Sequence, residues 1–185
     1  LATYNLSAQM FLPVWQVITA SGAALWPVFA RARARNSTHE HSPLPIAGGF
    51  AAAAAAVCIF ISLISPWLAR VASDGEITVP RSMLISFSIY MVCQAVQYPL
   101  GTFLTDAAGL RYQAVLIVMM VPCNLWLSIV LATHIGAPGP VVASAITAFA
   151  FQACGNLAYV RRRLAEAAAR ARLTAELSTS SSLEA

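Results

Sequence analysis

Eight uncharged polar side chains stand inside otherwise apolar stretches of this sequence: Gln9, Gln16, Tyr90, Gln94, Gln97, Asn124, Gln152 and Asn156. A carboxamide or phenol in hydrocarbon is costly unless it meets a partner or water, so each of them needs a reason to be there. Their spacing supplies one. Asn5, Gln9 and Gln16 recur at i, i+4 and i+11 and share one helix face, and Tyr90, Gln94, Gln97 and Gly101 do the same. Ser144, Ala148, Gln152, Gly155 and Tyr159 form a third stripe of small and polar residues with Asn156 beside it, while a further stretch contributes Asn124 and Ser128. Such faces can line a shared, hydrated cavity that hydrogen-bonds a hydroxyl-rich or otherwise polar cargo. They can equally join helices, because interhelical bonds from Gln, Asn and Ser contribute about 0.6 to 2 kcal/mol and small residues allow close approach.

Reaction chemistry is absent from the motifs. There is no Gly-x-Ser-x-Gly, no His-Glu-x-x-His, no phosphate-binding glycine loop and no close pair of carboxylates, so no catalytic residue is assigned and the chain reads as a non-enzyme. No cofactor, metal or nucleic-acid partner is expected. His39 and His41 have a His-x-His spacing, but they and His134 sit in loops and read as solvent-facing. Cys58, Cys93, Cys123 and Cys154 each fall in the middle of a different apolar stretch and read as packing residues, with no Cys-x-x-Cys or Cys/His cluster among them. No Asp, Glu or Arg lies near the centre of a stretch, so no proton relay or cation-coupling carboxylate is visible. Any ion coupling would have to use residues outside this sequence or the span-end groups Asp106 and Arg111.

The elements that must position these residues are long. Apolar runs cover about 6–30, 46–69, 83–104, 112–133 and 141–160. Each is long enough, at 1.5 Å per residue, to cross a hydrocarbon core roughly 30 Å thick. With 59% hydrophobic residues, 10% charged residues and a mean hydropathy of +0.71, the composition excludes an ordinary water-soluble domain. The expected fold is all-α, a polytopic integral membrane bundle of about five transmembrane helices over 1–163, followed by a basic helix and polar tail over 164–185. That tail is expected to be helical over Leu164–Leu177 and disordered from Ser178 to Ala185, and its arginines could attract anionic lipid. Pro13, Pro27, Pro66, Pro99 and Pro122 lie inside or near the ends of spans, where each removes a backbone hydrogen bond and tends to kink its helix.

Charge sets the orientation. All eleven basic residues are arginine. They concentrate at Arg31, Arg33 and Arg35 after the first span and at Arg161, Arg162 and Arg163 after the last, which places both segments on the cytoplasmic side. The loop from Asp106 to Arg111 is then internal, the loops around 70–81 and 134–140 are external, and the N-terminal end lies outside. An outside N-terminus without a signal sequence, and an opening at Leu1 without an initiator Met, read as a fragment of a longer protein.

The run Ala2-Thr3-Tyr4-Asn5-Leu6, with Leu25-Trp26-Pro27-Val28-Phe29-Ala30-Arg31-Ala32 about twenty residues later, resembles the helix and exit loop that open the second half of polysaccharide flippases. These belong to the multidrug/oligosaccharidyl-lipid/polysaccharide exporter superfamily. Leu110-Arg111-Tyr112-Gln113, the turn Gly136-Ala137-Pro138-Gly139-Pro140 leading into Val141-Val142-Ala143-Ser144, and Tyr159-Val160-Arg161-Arg162-Arg163 are similar to later helices of the same proteins. The resemblance covers most of residues 2–163. Members have twelve to fourteen helices in two related halves around a central cavity, so five spans imply the C-terminal portion of a two-half transporter whose first half is a missing partner. The resemblance implies translocation of a lipid-linked sugar repeat unit across a bacterial inner membrane by alternating access. It also implies a cationic contact for the phosphate, for which Arg111 is the candidate. A drug or metabolite exporter of the same superfamily is a second reading. A membrane-embedded acyl- or glycosyltransferase using Asp74, Glu76, Asp106 or His134 is a third.

Overall fold

A computed structural model of the chain describes residues 2–35, 42–72 and 79–183. All the regular structure among these residues is helical. The first apolar run is two helices, α1 (Ala2–Ala24) and α2 (Trp26–Ala34), parted at Leu25. Pro27 accounts for the restart: it has no N–H to give and stands in the first turn of the new helix, where that N–H would have no intrahelical partner. Helix α3 (Pro43–Ala72) opens with Pro43 behind Ser42, whose hydroxyl accepts the Leu44 N–H at 3.3 Å. Helices α4 (Arg81–Phe103) and α5 (Ala107–Ile135) follow. Pro13, Pro66, Pro99 and Pro122 all sit inside unbroken helices, so only Pro27 marks an interruption.

Helix α5 stops at Gly136, whose φ of 72° is a backbone conformation that suits glycine, and the Gly136 N–H bonds to the Ala132 carbonyl at 3.1 Å. Three residues on, Gly139 lies so close to α5 that a Cβ there would stand 2.5 Å from the Ala132 nitrogen. A hairpin this tight needs a residue without a side chain. The last run divides into α6 (Gly139–Thr147), a π-helical turn over Ala148–Cys154, and α7 (Gly155–Leu183). The helix expected over Leu164–Leu177 is therefore continuous with the last span, and the expected disordered end is helical as far as Leu183.

Among the described residues five helical units are long and apolar enough to cross a membrane, Thr3–Ala34, Pro43–Val71, Arg81–Phe103, Ala107–Ile135 and Gly139–Arg170, which is consistent with a membrane protein. Helix α4 is the hub. It packs against α1, α3, α6, the π turn and α7, whereas α5 rests mainly on α6 and leaves most of its surface exposed. Two apolar clusters hold the bundle. One joins Phe11, Val14 and Ile18 of α1 to Phe87 and Met91 of α4, with Phe11 and Phe87 stacked at 5.4 Å. The other gathers Phe29, Leu100, Phe103, Leu104 and Val160, with Phe29 edge-on to Phe103 at 5.4 Å.

Most of the arginines fall at one end, away from Arg70 and Arg81. Arg33 donates to the Phe103 carbonyl and to Thr105 Oγ1, both at 2.9 Å, and Arg163 forms an ion pair with Asp106 at 2.9 Å. The ends carrying Arg31, Arg33 and Arg35, Arg111, and Arg161 to Arg163 are thereby tied together. Stacking of Tyr112 on Tyr159 at 4.2 Å, with the Arg163 guanidinium 5.0 Å from the Tyr159 ring, completes the junction.

Candidate functional site

The π turn places the site. An i→i+5 turn is wider than α-helix and changes which side chains face inward, and such turns recur at functional sites. Here it carries Gln152, and Asn156 follows in the first turn of α7. Both line a cleft of about 410 Å³ together with Gln94, Gln97 and Gly101 of α4, Gln113 of α5 and Trp15 of α1. Thr102, Thr105 and Leu110 extend the lining toward the arginine-rich end, and no charged side chain contributes to it.

The amides are organised by one another. Gln94 donates to the Tyr90 hydroxyl at 2.8 Å, and Gln97 donates to Gln94 Oε1 at 3.1 Å. Gln113 donates to two carbonyls near the end of α4: that of Gly101 at 3.2 Å, which also accepts the Leu104 N–H at 3.0 Å, and that of Leu104 at 3.0 Å, beyond the last helical turn. Gly101 is what lets them converge: a Cβ there would lie 3.1 Å from Gln113 Oε1, 3.6 Å from Gln97 Oε1 and 3.8 Å from Asn156 Nδ2. Gln94 and Asn156 are buried, at 6% and 2% exposed, while Gln97, Gln113 and Gln152 are half-buried at the cleft. Gln152 Oε1 and Asn156 Oδ1 are buried with no hydrogen-bond partner, a condition rare enough in folded proteins to need explaining.

Of the eight polar residues singled out in the sequence, four line this cleft: Gln94, Gln97, Gln152 and Asn156. Tyr90 stands behind them as the acceptor of the Gln94 bond. Asn124 is elsewhere. It ties α5 to α6, donating to Ser144 Oγ at 3.3 Å and Thr147 Oγ1 at 2.9 Å while accepting from Ser128 at 3.0 Å. Gln9 and Gln16 are exposed on α1, because that helix buries its other face through Ser7, Phe11, Val14 and Ile18. Arg111 is also exposed, one residue from Leu110 of the cleft.

Gln113 was not among those eight residues. It lies at the edge of a span and belongs to no polar stripe on its own helix. The available signal was indirect: the carbonyls ending α4 need a donor, and an amide shortly after the turn can supply one. Among the other groups, Asp106 is paired with Arg163, and His134 is exposed at the end of α5. Asp74, Glu76, His39 and His41 lie outside the described residues. Cys58 is buried, while Cys123 and Cys154 are exposed and so do not act as core packing. Among the described residues no group of three or more His, Cys, Asp or Glu could hold a metal ion. No protein-family model, curated protein or solved structure matches this chain.

Proposed function

We propose that the chain is part of a bacterial inner-membrane transporter that moves lipid-linked oligosaccharide or polysaccharide repeat units by alternating access, in the synthesis of surface polysaccharide. The observation that carries this reading is the uncharged, amide-bearing cleft among helices long and apolar enough to cross a bilayer. A sugar crossing hydrocarbon loses its hydration, and a path of neutral amides replaces those hydrogen bonds while the lipid tail stays in the membrane. The resemblance of residues 2–163 to the second half of polysaccharide flippases supports the same reading and supplies the first half as partner. Arginine placement makes the end bearing Arg31 to Arg35, Arg111 and Arg161 to Arg163 cytoplasmic, with the start of α1 outside and the tail inside. Arg111, exposed beside the cleft, is the contact for the lipid phosphate.

The test is Gln94→Leu and Gln152→Leu in the full-length transporter, expressed at the level of the parent protein. Surface polysaccharide should fall in both. Undiminished polysaccharide in both variants refutes the reading.

A further inference from the structure

We infer that the cleft is a hydrogen-bond-accepting site for a neutral, hydroxyl-donating ring, and that it turns anions away. This deepens the translocation reading and rests on it for identifying the ring as a sugar. The ends of the amides that are already occupied decide which ends face a ligand. Both donor bonds of Gln113 go to backbone carbonyls at 3.2 and 3.0 Å, so its amide cannot turn over and its oxygen is held toward Gly101. Gln97 likewise directs its nitrogen to Gln94 and leaves its oxygen beside that of Gln113. Gln152 Oε1 and Asn156 Oδ1 add two buried acceptors with no partner.

Amide oxygens that face one space and lack protein partners call for donors from whatever fills it. Sugar hydroxyls supply donors, and each can also accept from an amide N–H such as that of Asn156. A phosphate or carboxylate brings a negative charge and finds no guanidinium or ammonium in the lining. The Trp15 indole gives the ring's C–H face an apolar wall. At about 410 Å³ the space lies within the usual small-ligand range of roughly 300 to 1,000 Å³. The anionic part of a cargo is thus left at the arginine-rich end, outside the cleft.

Trp15 reports on this directly. Trp26, Trp67 and Trp126 are exposed, so a variant carrying Phe at all three leaves one fluorophore in the lining. The full chain in detergent micelles is titrated with methyl glucoside, glucuronate, inorganic phosphate and sodium chloride, with the parent protein run in parallel in case the triple variant does not fold. Methyl glucoside should give a saturable change, with glucuronate weaker by about tenfold or more and phosphate silent. The inference is overturned if glucuronate or phosphate equals the glucoside, if sodium alone saturates the signal, or if nothing binds. The cellular assay separates the two readings. Glucoside binding with undiminished polysaccharide in both leucine variants removes translocation and keeps the neutral site. Lost polysaccharide with glucuronate binding as well as glucoside removes the neutral site and keeps translocation.

Discussion

The Asn124 node and the Gln152/Asn156 cleft are built from the same kind of residue in the same kind of helix, yet they end in opposite states. At the first, both sides of the Asn124 amide are engaged, by Ser144, Thr147 and Ser128, and the result is a joint between α5 and α6. At the second, two amide oxygens are buried and unpaired beside a space large enough for a ligand. The difference teaches that a polar residue in an apolar helix does not declare its role through its type or its stripe. Bonding state separates glue from site: satisfied amides contribute to stability, and unsatisfied ones cost stability that a ligand can restore.

Substitutions can break this contrast. The largest effect on stability is expected at Gln113, which serves both purposes. Gln113→Leu strips the Leu104 carbonyl of its donor and removes the second of two donors from that of Gly101, and should lower stability by about 1 to 3 kcal/mol, read as a fall in the unfolding midpoint in detergent. Asn124→Leu comes next. It removes the α5–α6 bonds and should cost about 0.6 to 1.7 kcal/mol. Surface polysaccharide per molecule of folded protein should stay unchanged; a specific loss would place Asn124 on the cargo path after all. Gln152→Leu should have the smallest effect on stability, near zero or slightly favourable, because it deletes an unpaired buried oxygen. A destabilisation as large as that of Asn124→Leu would mean that Gln152 is structural, and the contrast between the two regions would fail.

Much of the helical frame could be read in advance. The apolar runs lie within the observed helices apart from the break at Leu25 and the last residue of the third run, Leu104, and most of these helices extend a few residues further at each end, because arginines and small residues at the margins still accept helical geometry. That break has a visible cause in Pro27. The π turn has none, since Ala148-Phe149-Ala150-Phe151-Gln152-Ala153-Cys154 contains neither Pro nor Gly and reads as ordinary helix. Gln113 was hidden for a related reason: its partners belong to the preceding helix, and its own helix carries no stripe that includes it.

Number, length and composition of the helices follow from local chemistry, because a run of apolar residues and the 3.6-residue repeat act over neighbours in the chain. Which face of each helix turns inward does not. These helices are apolar on nearly every side, so their rotation is set by long-range fits such as Phe11 on Phe87 and Phe29 on Phe103. Those fits turn Gln9 and Gln16 outward, leave Asn124 bound between α5 and α6, and bring Gln94, Gln97, Gln113, Gln152 and Asn156 from three helices and a π turn to one cleft.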